Sequence, residues 1–470
     1  MKSLVKSARG VLPRVQLGLA GALGAVIACA IGPAFAAEGA ALAAKGPQVF
    51  GIPIDFLLFA ATLLGVALLH HRTFTVAATG LAVVVAYKFI FTGFKDGAGI
   101  VGLLAHLQHE WVILANLFLL LLGFAVLARH FETSNAPEAV PAILPDGMWG
   151  NVAMLGFVLV LSAFLDNIAA VLIGGVIANH VYHGKVHIGM LAAIVAAGNA
   201  GGAGSVVGDT TTTMMWIAGV SPLDVLHAFI ASIACFFCFA IPASIVQQKF
   251  APLQKNATTG VEVDWVRVSI VGVILVAAIT ANVSANLLAP ALLDILPVLG
   301  LAVWIAILAT GVIRKPDFHE AVKSIKGTVF LLCLVTIASL MPVETLPPAS
   351  WQTAFGLGFI SSVFDNIPLT ALALKQGGYD WGVLAFAVGF GGSMTWFGSS
   401  AGVALSNMFP QIRSVFSWVR EGWFVIVGYV VGFFALYLIL GWHPHAPIDR
   451  SPAGGGHGGG HSQLAAPPAG

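Results

Sequence analysis

The sequence predicts an all-α polytopic membrane protein of two inverted repeats, with about eleven transmembrane helices, two re-entrant helical hairpins and two broken helices. Composition is the first observation behind this prediction: 58% of the 470 residues are hydrophobic and only 9% are charged. Soluble domains carry about 25% charged residues. A mean hydropathy of +0.95 therefore indicates lipid as the solvent. The other two observations are a pair of sequence phrases, each of which occurs twice.

The first repeated phrase places a carboxylate beside an amide in an apolar segment. It reads SAFLDNI from Ser162 to Ile168 and SSVFDNI from Ser361 to Ile367. In a soluble protein an Asp-Asn pair would be a helix cap with no ligand, and that interpretation stays open for both copies. The segments 149–180 and 350–376 lie around these pairs. We interpret each segment as a re-entrant hairpin whose two arms meet at the Asp-Asn pair.

The second phrase is glycine-rich and follows each predicted hairpin. Gly201-Gly202 is followed after five residues by Gly208-Asp209-Thr210, and Gly391-Gly392 after five residues by Gly398-Ser399-Ser400. Glycines at this density predict interruptions in the apolar spans 186–218 and 381–409. Because both landmarks recur in the same order, we divide the chain into a first repeat (50–248), a cytoplasmic linker (249–265) and a second repeat (266–441). Inverted repeats with broken helices are typical of secondary transporters.

The N-terminus predicts a secretory signal over 1–36, with basic residues, an apolar run and an Ala-x-Ala end. An uncleaved first membrane helix is the alternative. Cleavage would leave the mature N-terminus outside a bacterial-type inner membrane, together with a disordered Gly/His/Pro-rich tail over 443–470. With this orientation, twelve of the 21 lysines and arginines lie on the cytoplasmic side, five lie on the outer side or its edge, and the rest belong to the signal. That bias agrees with the positive-inside rule.

The remaining spans are predicted at 52–69, 74–93, 111–128, 223–247, 266–288, 291–313, 325–341 and 421–441. His106, His109 and Glu110 would then be solvated residues near the outer start of the third span. Cys235 and Cys238 form a CxxC without a second pair, so we expect small core residues there and no metal or redox site. The lipid bilayer is the expected partner. A net charge of +1 without a basic face gives no reason to expect nucleic acid, and we expect no cofactor.

A hairpin tip beside a broken helix would expose backbone groups that no helix satisfies, which creates a polar pocket near the midplane. We expect Asp166, Asn167, Asp209, Asp365 and Asn366 to bind an ion or a proton. Hydroxyl and amide groups are expected to support them, from Ser162, Asn199, Ser205, Thr210, Thr211, Ser361, Ser393, Thr395, Ser399 and Ser400. Asp209 has an alternative role as the cap of a helix starting at Thr210. Of Thr210 to Thr213, only some can face a pocket, and the others would bond back to the helix.

Carboxylate, amide and hydroxyl oxygens suit a hard cation. An isolated Asp at the bilayer centre costs about 2.5–3.5 kcal/mol on insertion scales, so it needs a cation or a proton. Burial favours the protonated carboxyl group and a bound cation favours the ionised one, so the two ions compete for one site. Competition at a site that opens alternately to each side is sufficient for cation/proton antiport.

These phrases resemble those of the NhaD-type sodium/proton antiporters of the ion transporter superfamily, which also includes arsenite permeases and citrate and dicarboxylate carriers. The matching phrases are Ser162 to Ile168, Asn199 to Met214 (NAGGAGSVVGDTTTTM), Asp365 to Leu369 and Gly391 to Ala404 (GGSMTWFGSSAGVA), and the likeness spans about 50–441. The resemblance implies a homodimer with a scaffold and a transport domain that moves as an elevator. It also implies that Asp166, Asn167, Asp209, Asp365 and Asn366 handle sodium or lithium and protons.

Dicarboxylate carriers of this superfamily typically have Ser-Asn-Thr at the hairpin tips. Here Asp stands in place of that Ser in both copies, which favours a cation over an anion as the transported species. The chain departs from the NhaD pattern at Ile168-Ala169-Ala170, where relatives often have threonines, and at Ser399, where the first half has Asp209.

The leading hypothesis is therefore sodium (or lithium)/proton exchange by a protein that is not an enzyme. The alternative within transport is a sodium-coupled carrier of citrate or a dicarboxylate, or an arsenite-type permease. A membrane-embedded enzyme or a structural protein is the alternative from another class. No nucleophile-plus-base pattern or histidine cluster in the sequence supports it.

Overall fold

A computed structural model describes residues 47–69, 72–95, 97–253, 262–289 and 291–445. The predicted signal segment (1–36), part of the predicted linker and the tail beyond residue 445 lie outside the described residues.

The described chain is built almost wholly of helices. They are α1 (Ile54–Leu68), α2 (Thr73–Tyr87), α3 (Gly99–Glu132), α4 (Ala136–Ile143), α5 (Gly147–Ser162), α6 (Asn167–Val181), α7 (Ile188–Ala203), α8 (Thr210–Ile217), α9 (Pro222–Leu226), α10 (Ala228–Phe250), α11 (Trp265–Leu288), α12 (Ala291–Ile295), α13 (Val298–Thr310), α14 (Phe318–Ser339), α15 (Trp351–Ser361), α16 (Asn366–Gln376), α17 (Trp381–Gly391), α18 (Ser400–Met408), α19 (Val415–Glu421) and α20 (Trp423–Leu440). A π-helical turn (Lys88–Thr92) follows α2, and 3₁₀ turns occur at Val343–Thr345, Gly392–Met394 and Pro410–Ile412. Two two-residue strands, β1 (Gln48–Val49) and β2 (Ile52–Pro53), pair antiparallel before α1.

Six helical stretches within the described ranges are long and apolar enough to cross a membrane. They are Thr73–Thr92, Gly99–Glu132, Pro222–Phe250, Trp265–Ala285, Phe318–Ser339 and Trp423–Leu440. Helices satisfy their own backbone hydrogen bonds, which lipid requires of a spanning segment. The chain is thus an all-α, multi-pass membrane protein, as its composition predicts.

Four shorter helices occupy the two segments interpreted as hairpins. α5 ends at Ser162 and α6 begins at Asn167, while α15 ends at Ser361 and α16 begins at Asn366. These helices have 16, 15, 11 and 11 residues. At 1.5 Å per residue they are about 24, 22, 16 and 16 Å long, less than the roughly 30 Å of a hydrocarbon core. The non-helical turn between the arms of each pair carries the Asp of the repeated phrase. Re-entry from opposite faces stays a prediction.

The two spans predicted to be broken are interrupted at their glycine-rich phrases. α7 ends at Ala203 and α8 starts at Thr210; α17 ends at Gly391 and α18 starts at Ser400 after a short 3₁₀ turn. A Cβ atom on Gly201 would overlap the carbonyl oxygen of Leu159 in α5, and one on Gly391 would overlap that of Gly358 in α15. Glycine is therefore required where each hairpin arm packs directly on a broken helix.

The helices pack in two groups. In one, α3 and α14 pack together and contact α2, α11 and α13; in the other, α5 to α8, α10, α15 to α18 and α20 pack around the broken helices. α14 also packs along α16, so the second hairpin lies beside the first group.

Three details differ from the sequence-based boundaries. The third span starts at Gly99 instead of residue 111, so His106 lies inside α3, is buried, and its Nε2 is 2.9 Å from Ser339 Oγ. The predicted span 291–313 is interrupted between α12 and α13 at Pro297, which lacks the N–H that a continuous helix needs. The segment between the predicted span 111–128 and the predicted hairpin 149–180, for which no helix is predicted, contains the short helix α4.

The close packing of the second hairpin predicts opposite effects for two glycines of α15. In Gly358→Ala the new methyl group would overlap the hydroxyl of Tyr429, a fully buried ring, so unfolding should become easier by about 1–3 kcal/mol. Gly356→Ala is the matched control, because its Cβ would meet no atom within 4 Å. The thermal unfolding midpoint in detergent should fall for Gly358→Ala and stay level or rise for Gly356→Ala. Equal midpoints for the two variants would contradict this packing.

Candidate functional site

Three carboxylates of the repeated phrases sit at the N-terminal ends of short helices. Asp166 Oδ2 accepts the backbone N–H of Ile168 at 3.1 Å, and Asp365 Oδ1 accepts that of Ile367 at 3.0 Å. Asp209 Oδ1 accepts the N–H of Thr211 at 3.2 Å. Each Asp therefore caps a helix, which is the role that the sequence leaves open as an alternative for these residues. A cap uses one carboxylate oxygen, so the second oxygen of each group is available for another partner.

The second oxygens have different surroundings. Asp365 Oδ2 accepts the hydroxyl of Ser400 at 2.9 Å. Asp209 Oδ2 lies 3.4 Å from Asn366 Nδ2, a long contact that joins the first half to the second hairpin. Asp166 and Asp365 are both close enough to Asp209 to interact with it electrostatically.

A cavity of about 410 Å³ connects these tips; we call it the central cavity. Its polar lining on the tip side comes from Asp166, Asn167, Asp209, Thr210, Asn366 and Ser400. The opposite wall belongs to α3 and α14, with Arg129, Glu132, Glu320, Lys323, Ser324 and Thr328 among its residues. The central cavity thus lies between the two helix groups. Asp365 does not line it, although its partner Ser400 does.

Charged side chains at one end of the central cavity are paired with each other. Arg129 lies 3.2 Å from Glu132, and Lys323 lies 2.6 Å from Glu320. Both pairs are partly exposed and contain one charge of each sign, so this end has no strong preference for anions or cations. None of the ion pairs among the described residues involves Asp166, Asp209 or Asp365.

The remaining predicted residues lie behind the cavity wall. Ser162 Oγ donates to Gly198 O at 2.6 Å and Ser361 Oγ donates to Val388 O at 2.7 Å, so each fixes a hairpin arm to a broken helix. Thr395 donates to the carbonyl of Ser362, and Ser205 Oγ accepts the N–H of Val207 at 3.3 Å. Thr211 is fully buried and does not line the cavity.

Asn199 links the two halves. It is fully buried, its Oδ1 accepts from Asn167 at 3.1 Å, and its Nδ2 donates to Ser393 at 2.9 Å and Ser399 at 3.2 Å. Of the four consecutive threonines, Thr210 lines the central cavity. Thr212 and Thr213 donate to the carbonyls of Ser205 and Val206, which lie in the non-helical segment before α8, and Thr212 also donates to Asp209 O at 2.9 Å.

Sequence reasoning did not find the α3 and α14 wall of the cavity. Glu320, Ser324 and Thr328 recur every four residues, with Gly327 three residues after Ser324, which places all four on one face of α14. That spacing was the available signal. Arg129 gave no such signal, because a basic residue at a span end also fits a solvated terminus.

The tip side of the central cavity can hold a small cation. It offers carboxylate, amide and hydroxyl oxygens and, among the described residues that line it there, no basic side chain. No three His, Cys, Asp or Glu side chains of the described ranges converge as a metal cluster. A cation at the tips would therefore be shared between one or two carboxylates and neutral oxygens, a ligand set suited to hard ions.

The chain is similar to several proteins that are all named sodium/proton antiporters. The chain is 26% identical over 394 residues to Sodium/proton antiporter 1 of Arabidopsis thaliana, covering 73% of this chain and 65% of the relative. It is 26% identical over 297 residues to the Na⁺/H⁺ antiporter NhaD of Vibrio cholerae, covering 53% and 60%, and 24% identical over 457 residues to NhaD of Alkalimonas amylolytica, covering 85% and 92%. The chain therefore spans slightly less than two thirds of the length of the first two relatives. No protein-family model matches the chain. The likeness to NhaD-type antiporters, which the repeated phrases predict, is confirmed by these relatives, whose names are those of transporters.

The geometry predicts which introduced cysteines will react with a charged thiol reagent. In a chain whose native cysteines are replaced by alanine, Ser324→Cys should be modified readily, because Ser324 lines the central cavity. Ser232→Cys on α10 should resist, because Ser232 is fully buried and bonded to Ala200 O. Modification rates measured by mass spectrometry test this, and similar rates at both positions would argue against a water-accessible central cavity.

Proposed function

We propose that the chain exchanges Na⁺ or Li⁺ for H⁺ across a bacterial-type inner membrane. The observation that carries this proposal is the placement of Asp166 and Asp209 on the central cavity, beside the amides of Asn167 and Asn366. The names of the relatives support the same exchange.

Charge is the first step of the proposal. Asp209 is 2% exposed, and a carboxylate at membrane depth needs a cation or a proton to offset its desolvation. None of the described ion pairs supplies a protein cation to Asp166 or Asp209. A sodium ion and a proton are then alternative partners of the same oxygens, so binding one releases the other.

Access to one side at a time is the second step. The central cavity extends to Arg129 and Lys323, residues that the positive-inside rule assigns to the cytoplasmic side. At the far end of α14, Lys375 of α16 donates to the carbonyls of Ser339 at 2.5 Å and Met341 at 2.6 Å. Opening on that side would require α16 to move along α14 and break these bonds. Movement of the hairpin group past α3 and α14 is the elevator-type mechanism that the family resemblance implies, in a homodimer.

A sodium-coupled carrier of citrate or a dicarboxylate, or an arsenite-type permease, is the alternative. The carboxylates of Asp166 and Asp209 would repel an anion at the tips. Arg129 and Lys323, the cations nearest to that route, are each paired with a carboxylate. Both features favour the cation exchanger.

Sodium-driven proton movement is the direct test. In everted vesicles that carry the chain and a pH-sensitive dye, added Na⁺ or Li⁺ should dequench the dye, and K⁺ serves as the comparison ion. No response to sodium between about pH 7 and 9.5 would refute the exchange, because sodium and protons compete for the same carboxylates and added sodium should displace protons in this range. Sodium-dependent uptake of labelled citrate in the same vesicles would support the alternative.

Neutralising the tip carboxylates should abolish exchange. Asp166→Asn and Asp365→Asn keep the side-chain shape and one acceptor oxygen for the cap, but they remove the charge that a cation or proton must balance. Dye dequenching should disappear in both variants while expression is retained. Glu138→Gln, which removes an exposed charge on α4, is the control and should transport normally. Wild-type rates in both Asp variants would show that the repeated Asp is structural.

A further inference from the structure

The two halves can be compared position by position at the broken helices. Aligning Gly201-Gly202 with Gly391-Gly392 pairs each residue of α7 with the residue 190 positions later. Contacts support this correspondence: Ser162 bonds to Gly198 O and Ser361 to Val388 O, two carbonyls that the alignment pairs. Helix-capping positions agree as well, since Asp209 and Ser399 have nearly the same backbone angles (φ −142°, ψ 144° and φ −136°, ψ 151°).

On one side of this correspondence lies a closed neutral network. Asn199 donates to the hydroxyls of Ser393 and Ser399, and its carbonyl oxygen accepts from Asn167. Asn199 and Ser393 are fully buried, and Ser399 is 1% exposed. Both N–H groups and the oxygen of the Asn199 amide are occupied, so this network has no position left for an ion.

On the other side, the three corresponding residues are Gly389, Ala203 and Asp209. A Cβ atom on Gly389 would lie 3.4 Å from Asp209 Oδ2 and 3.4 Å from the Cβ of Ala203. Gly389 has hydrogen where Asn199 has its amide side chain. Ala203 has a methyl group where Ser393 has a hydroxymethyl group, and Asp209 has a carboxylate where Ser399 has a hydroxyl. The amide that Asn199 places on one side therefore has no counterpart on the other side, where Asp209 carries a charge.

The consequence is a difference in both charge and access. Asp209 Oδ2 has a long contact of 3.4 Å with Asn366, and Asp209 borders the central cavity. Asn199, Ser393 and Ser399 do not border it. A buried carboxylate with an incompletely satisfied oxygen attracts a cation, whereas a fully hydrogen-bonded neutral network does not.

We infer that the two hairpin tips are unequal and that each chain binds one alkali cation, at Asp209 with Asp166 and Asn366. Asn199 is a positioning residue: its hydrogen bonds to Ser393 and Ser399 occupy the corresponding position beside Ser399, where no ion binds. This inference rests on the proposed function and adds its ion stoichiometry and the role of Gly389. Because Gly389 has no amide, the second oxygen of Asp209 lacks the donor that Asn199 supplies to Ser399.

Counting bound sodium tests the inference on the unaltered protein. Equilibrium binding of radioactive Na⁺ to the purified full-length chain in detergent should saturate at one ion per chain. Two ions per chain would overturn the inference, even if the vesicles show sodium/proton exchange. If sodium neither binds nor drives proton movement, the proposed function fails with it. Sodium/proton exchange by a chain that binds two ions would overturn the inference and leave the proposed function intact.

Restoring the missing amide gives the second test. In Gly389→Asn, an amide N–H can reach Asp209 Oδ2 and compete with the ion, so the dissociation constant for Na⁺ should rise by about tenfold or more. Gly356→Asn is the matched control: it adds the same side chain at a glycine of α15 that does not line the central cavity and whose Cβ would meet no atom within 4 Å, so sodium affinity should stay close to that of the wild type. Unchanged affinity in a folded Gly389→Asn, or equal losses in both variants, would contradict the inference. If Gly389→Asn fails to fold, the ion count on the wild-type chain still decides.

Discussion

The structure depends on satisfying backbone groups where helices end at membrane depth. Lipid offers no hydrogen bonds, so every interruption needs partners from the protein itself. Side chains of Asp166, Asp209, Asp365 and Ser399 accept the N–H groups at the starts of four short helices. Two of these capping residues, Asp166 and Asp209, also bring carboxylates to the central cavity. A carboxylate can cap a helix with one oxygen and face a ligand with the other, whereas a hydroxyl has a single oxygen and no charge.

Glycine packing supplies the second part of this arrangement. At Gly201 and Gly391 the broken helices touch carbonyl oxygens of the hairpin arms with no side chain between them. Hydroxyl bonds from Ser162 and Ser361 join the same pairs of helices. Each hairpin is therefore held on its broken helix as one unit. The movement proposed for the exchange would therefore take place at the boundary with α3 and α14, where the central cavity lies, and not inside these units.

The sequence predicted the interruptions well because they depend on local chemistry. Asp is favoured at helix N-caps, so Asp166 and Asp365 lie in the turns where the sequence predicts them. The start of α3 was harder: an apolar pattern without a strong stop signal extended the helix back to Gly99 and buried His106. The opposite cavity wall also escaped prediction, because Arg129 and Glu320 become part of the site only when α3 and α14 pack against the hairpin tips. The helical spacing of Glu320, Ser324 and Thr328 marks one face of α14, but tertiary packing decides what that face meets.

The regions around the two hairpin turns share several main-chain contacts and differ in the side chains at a few corresponding positions. The main-chain frame is shared: the serine bonds, the glycine contacts and the capping angles recur in both halves. The halves differ in charge, because Asp209 corresponds to the neutral Ser399. They also differ in side-chain size, because Gly389 corresponds to Asn199. Repulsion between buried carboxylates grows steeply when water is excluded. A neutral side chain at Ser399 therefore limits the negative charge around the tips to Asp166, Asp209 and Asp365. A single small cation or proton can offset part of this charge, whereas a fourth carboxylate at Ser399 would require another cation or proton before the pocket could be buried.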